Sequence, residues 1–190
     1  IYTRLGNPTT HQLETKMAAL ECAEAAAATA TGMAAVSAAI MSKVAAGDHI
    51  LASKALYGCS YALLSHMLTK FGVEVTFVNF ADINAVAEAV QENTKVFFFE
   101  TPINPHMEVI DVRAIAEIAQ QHNAFSICDN TFMTPILQQP LNMGIDMVIH
   151  SATKYLNGHG DVVAGIICGK LDDIVHIKLT TLKDIGGTIS

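Results

Sequence analysis

Paired cysteines are missing from this sequence. Its four, Cys22, Cys59, Cys128 and Cys168, stand far apart with no CxxC spacing, which excludes a zinc knuckle and a disulfide scaffold and fits a reducing cytoplasm. Positive charge is scarce too: 11 Lys and Arg against 18 Asp and Glu give a net charge of -7, with no basic stripe. That argues against a nucleic-acid partner. No HExxH, GxSxG elbow or P-loop occurs, so the usual signatures of zinc proteases, serine hydrolases and nucleoside triphosphatases are gone. The segment "GHGDVVAG" copies part of a dinucleotide-binding glycine pattern, but Val163 holds the third glycine's place and the segment precedes a strand. His150, His159 and Asp161 come nearest to a metal set, yet solvated or core roles suit them better, and no metal is expected.

Charge is absent altogether from residues 25 to 42, "AAAATATGMAAVSAAIMS", a run long enough to raise the question of a membrane span. Most of it is Ala, Thr, Ser or Gly, and only Met33, Val36, Ile40 and Met41 are large and apolar. It reads as a close-packed helix with no membrane partner. The 190 residues begin at Ile1 in a polar stretch and end at "GGTIS". These ends predict a cut from a longer chain, although the length suffices for a sizeable core.

What is present is an alternation of periods. Helices are expected over 10 to 22, from Gly32 to near Gly47, and over 59 to 71, 82 to 91 and 113 to 123. Strands are expected at "HILAS" (49 to 53), "VEVTFVNF" (73 to 80), "KVFFFE" (95 to 100), "FSICD" (125 to 129), "IDMVIH" (145 to 150) and "VVAGIICG" (162 to 169). Runs such as "VFFFE" are apolar without period-2 alternation, as in strands covered by helices on both faces. The expectation is a three-layer α/β domain with a mostly parallel sheet. Ligands in such sheets collect beyond the carboxyl ends of the strands. Attention therefore falls on Glu100, Asp129 and the group Ser151, Thr153 and Lys154.

Lys154 follows a strand, where a site of limited water would disfavour its charge and make it a usable amine for a Schiff base; a surface lysine fits the spacing equally well. Asp129 closes an apolar strand that tolerates a carboxylate only with a cationic or donor partner, such as a protonated pyridine. An aspartate capping a turn with Asn130 and Thr131 explains it better when it is taken alone. Thr31 and Gly32 open a helix whose unpaired N–H groups can hold a phosphate, and Ser151 and Thr153 would add hydroxyls to the same anion. Tyr57 could stack on a cofactor or move a proton, though core packing explains most tyrosines. Cys59 is by default an ordinary thiol.

In their order and approximate spacing, "YTRLGNPT", "TGM", "LYGCSY", "ETPINP", "DNTF" and "SATKYLNGHGD" together resemble the Cys/Met-metabolism family of pyridoxal-phosphate enzymes. The resemblance runs through essentially the whole chain. It implies the large domain of the aspartate-aminotransferase-like fold, fold type I, with pyridoxal 5'-phosphate as cofactor. By it, Lys154 carries the cofactor as a Schiff base and Asp129 pairs with the pyridine nitrogen. Gly32, Met33, Ser151 and Thr153 hold the phosphate, Tyr57 stacks on the ring and protonates the leaving group, and Asn104 lies near the cofactor's 3-oxygen. Tyr2 and Arg4 match a pair that reaches the phosphate of a neighbouring subunit. A homo-oligomer is thus implied, a dimer of active dimers.

Within the family, Cys59 and the pair Lys183 and Asp184 are similar to groups thought to network around the substrate side chain in members that eliminate methanethiol from methionine. A lyase acting on a small sulfur amino acid is therefore expected. The alternatives are cystathionine γ-elimination, γ-replacement on an activated homoserine and, from outside the family, a non-catalytic nucleotide-binding α/β domain. Two positions depart from the family pattern: Ile103 replaces a small residue and is expected to tighten the pocket, and Thr31 replaces serine with mild effect. Residues 1 to 190 are expected to be a partial cofactor-binding domain. An N-terminal segment and a C-terminal domain, the latter with the arginine for the substrate carboxylate, would lie outside them.

Overall fold

A computed structural model describes residues 2 to 190. Seven strands form one sheet: β1 (Ala25–Thr29), β2 (His49–Ser53), β3 (Glu74–Val78), β4 (Thr94–Glu100), β5 (Phe125–Asp129), β6 (Met147–His150) and β7 (Gly165–Gly169). Their order is β1-β7-β6-β5-β4-β2-β3. The pairs β6/β5, β5/β4, β4/β2 and β2/β3 are parallel, whereas β7 runs antiparallel to both β6 and β1. The sheet is thus mostly parallel with one reversed strand.

Successive residues of each strand go to opposite faces, and here both faces are apolar. Leu51, Phe97, Phe99, Cys128, Val148 and Ile166 pack on one side with α1 (Pro8–Glu21), α4 (Ile83–Glu88) and α5 (Val112–Gln121). Ile50, Val96, Phe98, Ile127, Met147 and Ile149 pack on the other with α2 (Gly32–Met41), α7 (Leu171–Ile177) and Leu63, Leu64 and Leu68, which follow α3 (Gly58–Ala62). This double burial is why the strands read as unbroken apolar runs.

The helices start where their caps place them. Asn7 and Thr10 form a reciprocal capping box on α1, and Asp82 and Asp111 accept N–H groups in the first turns of α4 and α5. Past α3 the chain continues through a π-type turn, Leu63–Met67, and a 3-10 turn, Leu68–Phe71, and stops at Gly72 with φ of 79°.

Residues 25 to 29 correct the sequence reading, being a strand and not the start of a helix. Alanine favours helix intrinsically, but here full antiparallel pairing with β7 overrides that preference. The strand lies at the sheet's border, where Glu14 of α1 accepts the Ala28 N–H at 3.0 Å and also takes the Lys178 ammonium at 2.6 Å. Next along, Ala30 donates to the Gly187 carbonyl and Thr29 bridges Thr188. Helix α2 also stops at Met41, short of Gly47. Three further helical pieces went unread: α6 (Thr134–Leu137), α7 and α8 (Lys183–Ile185). Among the described residues no helix is long and apolar enough to cross a membrane.

Ile127 is fully buried in the middle of the sheet. Ile127→Ala is expected to cost about 2–5 kcal/mol of stability, seen as a lower urea midpoint of the full-length protein; an unchanged midpoint would show that this sheet face does not form the core.

Candidate active site

Strands β2, β4, β5 and β6 point the same way, so Ser53, Glu100, Asp129 and His150 end along one edge of the sheet. At this edge the structure forms a cavity of about 270 Å³, lined by residues that include Gly32, Met33, Tyr57, Glu100, Asp129 and Lys154. Asn104, Thr131, Ser151 and Thr153 also line it.

One wall is the N-terminus of α2. Thr31, extended with φ of −151°, caps it by accepting the Ala34 N–H at 2.8 Å. The N–H groups of Gly32 and Met33 find no acceptor among the described residues, as the first turn of a helix requires. Two glycines let this helix end approach the sheet. A Cβ on Gly32 would lie 2.7 Å from the Ser151 Cβ, and one on Gly165 would lie 2.3 Å from the Thr31 carbonyl oxygen. Ser151 is therefore held against the open N–H groups, a donor set suited to an anion.

Asp129 ends β5. Its Oδ1 accepts both the Thr131 N–H at 3.0 Å and the Thr131 hydroxyl at 2.5 Å, while Oδ2 has no donor among the described residues. Thr131 in turn accepts the Ser151 N–H at 2.8 Å. One hydroxyl thus fixes the carboxylate to the start of the lysine-bearing loop. Burial pushes the Asp129 carboxyl above the usual aspartate range, and the Thr131 bonds and nearby His150 pull it partly back. The sequence offered Thr131 only as a turn partner of Asp129, and that turn is present; its link onward to Ser151 was not read.

Glu100 bridges two loops. Its Oε2 accepts the Tyr57 N–H at 3.0 Å and its Oε1 accepts the Asn104 N–H at 3.1 Å. Burial raises its carboxyl, opposed by those two bonds and supported by repulsion from Asp129. Tyr57, 48% exposed, caps α3 beside Cys59. The neighbouring Cys59 thiol, more than burial, pushes the phenol above its ordinary value.

Lys154 sits in a loop closed by Lys154 N–H to the Ser151 carbonyl at 3.1 Å and Gly158 N–H to the Lys154 carbonyl at 2.9 Å. Its side chain is exposed and its Nζ has no acceptor among the described residues, so this chain's own atoms do not enclose it. Thr153 lines the cavity, but its hydroxyl donates to the Ala164 carbonyl and accepts the Ala164 N–H. Ile103 does not tighten the cavity; it is buried in the core against the sheet.

Tyr2, Arg4, Cys59, Lys183 and Asp184 do not line the cavity. Arg4 lies over the Tyr2 ring and donates to the Lys183 carbonyl at 2.8 Å, and the Lys183 ammonium is 3.4 Å from Asp184. These four residues therefore form one exposed group elsewhere on the surface.

The donor set around the cavity fits pyridoxal phosphate. Free helix N–H groups and Ser151 suit a phosphate, Asp129 Oδ2 suits a cationic ring nitrogen, and an unpartnered amine at Lys154 suits a carbonyl.

A family model described as Cys/Met metabolism PLP-dependent enzyme matches residues 1–190. The chain is 50% identical to L-methionine gamma-lyase of Fusobacterium nucleatum subsp. nucleatum, over 100% of this chain and 48% of that protein. It is 52% identical to L-methionine gamma-lyase of Treponema denticola, over 99% of this chain and 47% of that protein. The crystal structure of cystathionine gamma-lyase from Lactobacillus plantarum complexed with L-serine superimposes with a TM-score of 0.94 at 39% identity, covering 100% of this chain and 49% of that one. The chain thus spans about half the length of the curated relatives it matches.

Because folding raises the Asp129 carboxyl, its contribution to stability is present below the unfolded value near pH ~3.9 and is lost as pH rises through the higher folded value. Asp129→Asn keeps an acceptor for Thr131 without the buried charge. In calorimetry of the cofactor-free full-length protein, the variant should melt above the wild type near neutral pH, and the gap should close toward acid. A lower melting temperature throughout would contradict this.

Proposed function

The chain belongs to the Cys/Met-metabolism family of PLP-dependent enzymes, and on that premise we propose that its protein catalyses γ-elimination of L-methionine and related sulfur amino acids, giving methanethiol, 2-oxobutyrate and ammonia. The observation that carries this reading is the convergence of Lys154, Asp129 and the N-terminus of α2 on one cavity, with Tyr57 at its side. The choice of methionine is supported by the relatives at 50% and 52% identity.

Bound pyridoxal phosphate supplies an electron sink for the bonds at the substrate's α carbon. Lys154 would hold it covalently through its amine, Gly32, Met33 and Ser151 would hold its phosphate, and Asn104 would lie near its 3-oxygen. Thr153 would serve the phosphate by shaping the loop, since Ala164 already occupies its hydroxyl. Asp129 would accept the ring N–H through its free oxygen and so keep that nitrogen cationic. Lys154 would also be the base that takes the substrate's α proton. Tyr57 would donate its proton to the departing thiolate. Cys59 does not line the cavity and would meet the substrate's methyl end only where the substrate extends past Tyr57.

Tyr2 and Arg4 lie apart from this chain's cavity, which favours service to the phosphate of a second copy. Lys183 and Asp184 share their patch, so they too would reach a substrate only across an interface. On this reading the protein would be a homo-oligomer built from active dimers, a tetramer. The four cysteines, all free, suit the reducing cytoplasm.

A second reading, cystathionine γ-elimination, is favoured by the likeness to the Lactobacillus plantarum structure; replacement at an activated homoserine is a third within the same family. Offering the full-length protein methionine, cystathionine, and O-acetylhomoserine with a thiol separates them by rate. Lys154→Ala should abolish both the yellow cofactor absorbance and 2-oxobutyrate release, and borohydride should fix the cofactor on Lys154 in the wild type. Tyr57→Phe should lower turnover by about 10²–10⁴ while the absorbance remains. Retained colour and turnover in Lys154→Ala would reject the assignment.

A further inference from the structure

Glu21 closes α1 and is fully buried. A carboxyl buried there needs hydrogen-bond partners to offset its lost hydration. Its Oε1 accepts from His150 Nε2 at 2.5 Å and from Asn130 Nδ2 at 3.0 Å. His150 is fully buried as well, and both Glu21 Oε2 and His150 Nδ1 are left without a partner among the described residues. Packed hydrophobic residues would often serve stability as well or better than such a pair. Stability alone is therefore a poor account of it.

Position supplies a better one. The ladder between β5 and β6 stops at Asp129 and Ile149, with a last backbone bond from the Asn130 N–H to the Ile149 carbonyl at 2.9 Å. Just past that point, two side chains tie the strand ends together. Thr131 joins Asp129 to Ser151 on the cavity side, and Glu21 joins Asn130 to His150 behind it. Asn130 is further fixed by donating to the Gln138 carbonyl at 2.8 Å and accepting from Gln138 Nε2 at 2.9 Å. The residue after Asp129 and the residue before Ser151 are thus both held by one carboxylate that does not line the cavity.

We propose that Glu21 and His150 form a positioning pair: clamping Asn130 and the end of β6, they fix where the Asp129 carboxylate meets the cofactor's ring nitrogen without touching the cofactor themselves. This rests on the reading of the cavity as a pyridoxal-phosphate site. His150 also favours the ionised form of Asp129, consistent with such a role.

The test uses the full-length protein. Glu21→Gln preserves shape and one acceptor oxygen but removes the charge that both partners share. It should weaken pyridoxal phosphate binding by about tenfold and displace the pH titration of the bound cofactor's absorbance, while borohydride still fixes the cofactor on Lys154. A variant that merely melts lower, with affinity and titration unchanged, overturns the proposal. If Glu21→Gln does not fold, the wild type decides: the proton between His150 and Glu21, followed by NMR with ring-labelled histidine, should shift when pyridoxal phosphate is added to the cofactor-free protein. A resonance that stays in place overturns the pairing. Absence of any cofactor on Lys154 in the wild type would instead remove the cavity reading, and this proposal with it.

Discussion

A sheet covered on both faces leaves its strands one place for carboxylates and amines, which is their ends. In this chain Val96 to Phe99, Ile127, Cys128 and Val148 are all fully buried between helices, and an uncompensated carboxylate among them would be prohibitively desolvated. Parallel pairing then sends the ends of β2, β4, β5 and β6 to a single edge. Glu100, Asp129 and the lysine loop meet there because the apolar interior admits them nowhere else. Clustering of reactive groups is thus a by-product of how the core is built.

The second requirement is close approach. Gly32 and Gly165 remove the Cβ atoms that would separate α2 from β6 and β7, so helix N–H groups and Ser151 share one space. A single hydroxyl, on Thr131, then couples the aspartate to the loop that carries Lys154. Geometry that depends on so few atoms holds tightly only where the surrounding network is itself fixed. Glu100, gripping the loops of Tyr57 and Asn104 with its two oxygens, supplies that on the other side.

Much of this was legible in the sequence. "HILAS" and "FSICD" are strands over the expected residues, since an apolar run bounded by polar residues specifies a buried strand. The cavity contains Lys154, Asp129, Tyr57 and Gly32 because their motifs abut strand ends and helix starts. What escaped was set by partners distant in the chain. Nothing local distinguishes "AAAAT" from a helix; β7, more than a hundred residues away, makes it a strand. Ile103 occupies a motif position yet turns into the core. Thr131 and Glu21 gain their importance only from hydrogen bonds to Ser151, Asn130 and His150, and no spacing rule announces those.

Glu14 has one more effect. By taking the Ala28 N–H while Gly187 takes that of Ala30, it seals the flank of the sheet at β1. An unsealed flank offers rows of open amide groups on which a stray extended peptide can zip up, the first event in many forms of misassembly. On this border the molecule resists such templating without prolines or bulges. At the opposite border, β3, the exposed charge of Glu74 at the strand's start provides the deterrent instead.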